Sequence, residues 1–244
     1  MKIILTPILL AVLAMQVVAA EPTPKDNVVA AAKKLGGQPN YGWKENVVVP
    51  ESSPFKPGPT EGKWEKDGDT YFTLSFGDNT TKIYLEGGKS AISDPDGGWQ
   101  SAKEMEGDDG PGSFVAAIVR SFKAPAAQAE ELAGTARDLA QEGDALSGDM
   151  TEDGARSQFR FGTVANPKGS VKFWIKDGQL VKYEFKLTGQ AEFNGNEFDV
   201  DRDTTVEITD VGATKIDVPA DARKKLDSTP PAADVSATNA PAAK

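Results

Sequence analysis

The sequence predicts an α+β domain built on a curved antiparallel sheet, with short helices covering the sheet's apolar face. Three observations predict it. The segment 169–195 alternates apolar and polar residues across tight turns; Gly-Asp-Asn, Gly-Gly, Asp-Gly and Asn-Gly turns link further alternating runs; and one block of helical periodicity, about 112–143, lies between two groups of strands. In the second group, Val181, Tyr183, Phe185, Leu187, Gly189, Ala191 and Phe193 fall on one side, while Lys182, Glu184, Lys186, Thr188, Gln190 and Glu192 fall on the other. A strand with that period of two is half buried.

The chain starts with MKIILTPILLAVLAMQVVAA, in which Lys2 precedes an apolar run from Ile3 to Met15 and small residues close the segment. This is the layout of a secretory signal peptide with its cut after Ala20. The apolar run is shorter than the ~20 residues a spanning helix needs, and polar Glu21-Pro22-Thr23-Pro24 follows it. The expected location is therefore the periplasm or the exterior, with no stable membrane anchor after cleavage.

The chain contains no cysteine, which removes lipid attachment at the cut site, disulfides and thiol chemistry. A secreted domain without disulfides must hold by its core, and residues 21–226 are expected to form one domain of ordinary size. The charge is 27 basic against 37 acidic residues; without Lys2 the balance is 26 − 37 = −11. No run of Lys and Arg offsets it, which argues against nucleic acid and anionic lipid headgroups as partners, since both need concentrated positive charge. Residues 227–244, DSTPPAADVSATNAPAAK, contain one large apolar side chain, Val235, and read as a disordered Pro/Ala-rich tail.

Taken in order, DNVVAAAKKLGG is a helix with Asp26 as N-cap and Gly36-Gly37 as its stop. Tyr41, Trp43, Glu45, Val47 and Val49 share one face of a strand that ends at Pro50 and the PESSPFKPGP cluster. Strands follow from 70 to 93 through TYFTLSF, TKIYLE and KSAIS, and then a polar, Gly-rich loop, 94–112, carries Trp99. Phe114, Ile118 and Phe122 stand four residues apart; Pro125 opens a second helix with Ala129, Leu132, Ala136 and Leu139 as its stripe. The chain returns to strands through SQFRFGTV, VKFWIK, LVKYEFKLTGQAEF, EFDVDRDTTVEITDV and TKIDVP. In the strand from Glu197 the apolar face passes to Phe198, Val200, Val206 and Ile208, with Arg202 and Thr204 interrupting it.

No histidine is present, so the usual neutral-pH acid/base, the Ser-His pair and histidine metal sites are absent from the chain. No Gly-rich phosphate motif or GxSxG occurs. The reading is a non-enzyme with no catalytic residues, metal or cofactor. Asp199, Asp201, Asp203, Glu207 and Asp210 match positions 1, 3, 5, 9 and 12 of a calcium loop, but Thr204 stands where the loop needs glycine, and an acid at every second residue is also the wet face of a strand. The strand face is the better account. Asn79-Thr80-Thr81 matches a glycosylation sequon inside a hairpin turn that favours Asn in any case, and Trp43, Trp64, Trp99 and Trp174 read as core or rim aromatics. A hydrolase using shifted carboxylates would draw on Asp94, Asp96 and Glu104.

Burying about five large side chains of the 179–193 arm is worth on the order of 10 kcal/mol, so water cannot be what covers it. The sheet must curl on itself or the helices must lie across it. Both central helices are rich in Ala and light, and are expected to leave an apolar concavity underfilled.

The pattern W-I-x-D-G-x-L-V-x-x-E-F, carried by Trp174, Ile175, Asp177, Gly178, Leu180, Val181, Glu184 and Phe185, with Ile216-Asp217-Val218-Pro219 at the close, resembles the periplasmic lipoprotein carrier and mycobacterial lipoglycan-binding lipoprotein superfamily, the LolA-like half-barrels. The likeness covers about residues 24–226. It implies an unclosed (half) β-barrel whose open side is lidded by helices and whose cavity takes acyl chains. The chain departs from the anchored members in lacking their cysteine, and differs in the Pro-rich 50–59 loop and the acidic 94–112 loop.

Two functions follow as expectations. The first is an exported carrier with an apolar cavity for a lipid, acyl chain or lipidated polypeptide, lined by Tyr183, Phe185, Leu187 and Phe193 from the sheet and Phe114, Ile118 and Leu132 from the lid. The second is an envelope interaction or structural domain with a packed core, which meets its partner through the Pro-rich loop and the Trp99 loop.

Overall fold

The alternating segments fold into one antiparallel sheet. A computed structural model describes residues 21–53, 56–77, 79–106, 110–159, 163–193 and 196–230, with the side chains of Pro111, Phe193 and Asn196 outside that description. Strands are β1 (Asn40–Val48), β2 (Thr60–Glu65), β3 (Thr70–Phe76), β4 (Asn79–Glu86), β5 (Lys89–Ser93), β6 (Trp99–Gln100), β7 (Ala140–Glu142), β8 (Ala145–Asp149), β9 (Thr163–Lys176), β10 (Gln179–Phe193) and β11 (Asn196–Thr209). Helices are α1 (Pro24–Gly36), α2 (Ala102–Met105), α3 (Pro111–Arg120), α4 (Pro125–Thr135), α5 (Glu152–Ser157) and α6 (Ala220–Ser228).

The strand order is β6-β5-β4-β3-β2-β1-β11-β10-β9-β8-β7, an 11-stranded sheet. The two halves of the chain add strands outward in opposite directions. They meet at the centre, where β1 and β11 pair from Gly42↔Thr209 to Val48↔Asp203. The outer strands β6 and β7 do not pair with one another, so the barrel is unclosed.

Two bulges bend the long strands. Between Leu180↔Ile175 and Lys182↔Trp174 the register shifts, and Val181 becomes the extra residue. Leu180 therefore turns inward, 1% exposed, and Val181 turns outward, 37% exposed. This corrects the simple odd-even reading, because a bulge shifts the face of a side chain by one position. A second shift separates Thr188↔Lys168 from Gln190↔Ala165 and leaves Asn166 in the left-handed region, φ 50, beside Pro167. Proline has no N–H for the ladder and is accommodated in such a bulge. A side chain at Gly189 would lie 2.8 Å from Val164 Cγ1, so the close packing of β9 at this bulge leaves no room for a Cβ at residue 189.

Several boundaries differ from the sequence reading. The α1 N-cap is Thr23, and Asp26 is the third helical residue: its backbone N–H donates to Thr23 Oγ1 at 3.2 Å, while the Thr23 N–H donates to Asp26 Oδ2 at 2.9 Å. The 70–93 strands form as expected; β2 adds to them at residues 60–65, for which the sequence reading makes no assignment, and α2 lies within the 94–112 segment read as loop. The α4 helix stops at Thr135. Arg137 N–H then donates to Asp149 O at 2.7 Å and Asp138 takes φ 47, so Ala136 and Leu139 lie beyond the helix and the chain runs into the β7–β8 hairpin. Within SQFRFGTV, Ser157 ends α5 and β9 starts only at Thr163; residues 160–162 lie outside the described residues.

TKIDVP joins no ladder. Thr214 N–H donates to Asn40 Oδ1 at 2.8 Å and Ile216 N–H to Glu65 Oε1 at 2.7 Å, so side chains hold an extended strap that leads into α6. That helix takes in Asp227 and Ser228 of the segment read as tail. It packs on the convex side, where Ala222 and Leu226 join Tyr84, Ala91 and Ile216, with Tyr71, Trp99 and Val218 around them. The main core lies on the concave side, where α1, α3 and α4 cover the sheet.

Candidate functional site

The concave trough is built by register. Leu146, Phe173, Tyr183 and Val206 are successive partners across β8, β9, β10 and β11, and Glu45 of β1 faces Val206. One step along, Val171, Phe185 and Thr204 are partners; beyond them, Gly169, Leu187 and Arg202. On the other half Trp43 faces Gly62, Gly62 faces Phe72, and Phe72 faces Ile83.

Small residues let the roof come close. From α1, Val28, Ala31, Ala32 and Leu35 are buried, and from α4, Ala126, Ala129, Leu132 and Ala133. Tyr183 O–H donates to Gln128 Oε1 at 2.6 Å and ties β10 to α4. Ala126 N–H donates to Tyr41 Oη at 3.4 Å, and burial pushes the Tyr41 hydroxyl pKa well above its ordinary value. Apolar packing and two hydrogen bonds thus fix α4 to the trough.

The α3 end of the roof is held differently. Its N-cap, Gly110, makes no side-chain capping bond. Aromatic contacts attach this end to the sheet: Phe114 meets Phe76 edge-on at 5.6 Å, and Phe122, just past the helix, stacks on Phe72 at 4.4 Å and on Trp43 at 6.0 Å. Phe122 stands between two sheet aromatics as a plug. Beside it lies a cavity of about 40 Å³ lined by Trp43, Phe72, Leu74, Ile118 and Phe122, with Glu45, Lys123 and Gln128 as its charged and amide groups.

The expected lining residues separate into three groups. Tyr183, Phe185, Leu187 and Leu132 are buried in the packed core. Ile118 is buried too and reaches the cavity wall, and half-buried Phe114 meets Phe76 of β3. The Phe193 side chain lies outside the described residues. Trp43, Phe72 and Phe122 line the cavity without having been singled out; the four-residue spacing of Phe114, Ile118 and Phe122 was the signal for the last of them. A second, more open groove of about 460 Å³ runs between α1 and the β8–β9 edge, floored by Leu146, Phe173 and Ile175 and rimmed by Asn27, Lys34 and Asp144.

Other candidate chemistry is engaged elsewhere. Asp199, Asp201 and Asp203 point outward from β11, and Lys186 bridges Asp201 at 2.8 Å and Asp203 at 3.4 Å. Among the described residues, no group of three or more acidic, His or Cys side chains is placed to hold a metal. Lys225 holds Glu104 at 2.8 Å, and this bond, with a backbone bond from Ser101, depresses the carboxyl pKa to about 2, the opposite of what a general acid needs. Asp94 accepts from Gln100 Nε2 at 2.8 Å and from Asp96 N–H at 2.9 Å. Trp174 lies on the outer face, donating to Asp144 Oδ1 at 3.1 Å under the Lys182 ammonium, 4.4 Å from the ring centroid.

No family model matches the chain, and no curated protein matches it in sequence. Among solved structures it is similar to LprF from Mycobacterium bovis, at 12% identity over 83% of this chain and 100% of that one, with a TM-score of 0.45. It is similar also to the lipoprotein LppX from Mycobacterium tuberculosis, at 7% identity over 82% and 100% of the two chains, TM-score 0.45. A DUF1329 family protein from Desulfovibrio piger follows at 10% identity over 80% and 96%, TM-score 0.32. The likeness is one of fold.

Proposed function

We propose that the protein is an exported, non-catalytic carrier that takes an apolar ligand, a lipid, acyl chain or lipidated polypeptide, into the trough under α3, after removal of residues 1–20. The observation that carries this reading is the plug. The space between Trp43 and Phe72 is filled by Phe122, a side chain of the roof and not of the sheet. A cavity of about 40 Å³ is far below the roughly 300–1,000 Å³ of ligand sites. The arrangement corresponds to a closed state, in which withdrawal of Phe122 and Ile118 with α3 uncovers the sheet aromatics Trp43 and Phe72 and, further along the trough, Phe185 and Leu187. Among the described residues no helix is long and apolar enough to cross a membrane.

The test is uptake of a hydrophobic fluorophore and of fatty acids by the mature chain and by Phe122→Ala, together with native mass spectrometry after gentle purification. Removing the plug is expected to strengthen probe binding by roughly tenfold. A protein that carries no lipid and binds no probe in either form overturns the reading.

The packed interior favours a second reading, an interaction domain of the envelope. The Trp99 ring packs on Tyr84 at 5.6 Å within β6, so the Pro-rich 50–59 segment is left as its contact surface. Failure of Phe122→Ala to take up any probe selects this reading over the carrier.

A further inference from the structure

Between α1 and the β8–β9 edge the roof leaves a groove of about 460 Å³. That volume falls within the roughly 300–1,000 Å³ of small-molecule sites, and it is open with Phe122 in place. One wall is a stripe of α1. Asn27, Ala30, Ala31 and Lys34 are spaced by three and four residues, which sets two alanines between polar ends. In the opposite wall Leu146 and Phe173 are ladder partners, and Ile175 lies two residues further along β9 on the same face. Phe173 is fully buried, whereas Leu146 and Ile175 are half-buried and Ala30 is exposed. The lining that water reaches is therefore aliphatic, and a hydrocarbon chain laid along it removes that surface from water.

One end of the groove carries both signs of charge. Lys34 Nζ donates to Asp177 O at 3.1 Å in the β9–β10 turn, and Asp144, in the β7–β8 turn, accepts the Trp174 N–H on Oδ1 at 3.1 Å. Trp174 and Asp177 are three residues apart, so the cation and the anion border the same mouth. Neither is in an ion pair among the described residues. The neighbouring lysines are already engaged: Lys33 bridges Glu130 at 3.5 Å, and Lys182, over the Trp174 ring, bridges Glu184 at 2.7 Å. An ammonium has three donors and a carboxylate two oxygens, so Lys34 and Asp144 each keep bonding capacity beyond their one hydrogen bond.

We propose that this groove is a second ligand site, for a single-chain amphiphile with a zwitterionic head. The acyl chain lies between the α1 alanines and Leu146 and Ile175, the phosphate of the head faces Lys34, and its ammonium faces Asp144. Charge complementarity selects this occupant. A purely anionic head meets Asp144 and the net negative charge of the chain, a purely cationic one meets Lys34, and a head with both signs satisfies both. The site is separate from the trough under α3 and needs no opening of it.

The test titrates the mature chain with three ligands that share one acyl chain and glycerol: monopalmitoylglycerol, palmitoyl lysophosphatidic acid and palmitoyl lysophosphatidylcholine, each below its micellar concentration. The phosphatidylcholine is expected to bind about threefold more tightly than the phosphatidic acid, the effect of one exposed charge pair. Asp144→Asn is expected to abolish that difference, and Lys34→Gln to weaken both phosphate ligands against the uncharged one. Ala30→Trp places an indole in the groove from an exposed helix position; it is expected to weaken all three ligands about tenfold with the melting temperature unchanged. Equal affinity for the three ligands, or a preference that survives Lys34→Gln and Asp144→Asn, overturns the zwitterionic assignment. Binding that is indifferent to Ala30→Trp but responds to Phe122→Ala puts the ligand in the trough, which overturns the groove site and leaves the carrier intact. Absence of binding by all three ligands also overturns the groove site, and fluorophore uptake by Phe122→Ala then judges the carrier separately.

Discussion

Trp43 can press its indole onto the floor of the trough because position 62 has no side chain. A Cβ there would fall 2.0 Å from Trp43 Cζ2, so Gly62→Ala must move the ring that Phe122 stacks on. We expect a loss of about 1–3 kcal/mol and altered tryptophan emission, read by urea titration followed by fluorescence. An unchanged midpoint would show that the indole has room the geometry denies it. Tyr183→Phe makes a separate point. It removes the donor to Gln128 Oε1 and leaves a buried acceptor on α4 without its 2.6 Å partner, at a cost of about 1–3 kcal/mol. Thermal melting of this variant measures how firmly α4 is tied to the sheet.

At the level of elements, α6 is the buttress of the convex face. Arg223 bonds Asp69 Oδ2 at 2.5 Å and Glu86 Oε1 at 2.9 Å, Lys225 bonds Glu104, and Leu226 is fully buried. Leu226→Ala is expected to cost about 2–5 kcal/mol in denaturant while leaving ligand uptake unchanged, since the helix packs on the side of the sheet away from the trough. The clasp also has a pH signature. Glu104 is depressed from 4.5 to about 2, so its contribution is present above about pH 4.5 and is lost as pH falls toward 2. The carboxylate is half exposed, and screening reduces the effect to about 1 kcal/mol. Glu104→Gln should flatten that part of the stability profile, and an unaltered acid limb would assign it to other carboxylates. The long strands were legible because Tyr183, Phe185 and Leu187 repeat with period two, and the cap of α1 was misread by only three residues. The elements that escaped notice have weak local signals: β2, TEGKWE, is held by its neighbours, and α6 has two buried residues, Ala222 and Leu226, in an otherwise polar nine. The trough itself was anticipated from β10, but its filling was not. Which aromatic enters the gap depends on the path of the α3–α4 connection, and that path is set by contacts distant in sequence.

At the scale of the whole molecule, the sheet is stitched at its centre by the strands most distant in the chain. Bringing β1 onto β11 closes a loop of well over a hundred residues, so refolding is expected in the slow range, milliseconds to seconds, with protection of the β1 and β11 amides appearing late in pulsed hydrogen exchange. Early protection of β1 before β10 would contradict it. The same stitching makes each half a partner for the other. A cut in the exposed Pro95–Gly98 turn divides the chain into one piece carrying β1 to β5 and another carrying everything from Trp99 onward, including β11 and the α6 that grips β4 and β5. Because a ladder on the inside and a helix on the outside both bridge that division, the two pieces should find each other when produced separately, which makes the protein a natural candidate for a two-component reporter.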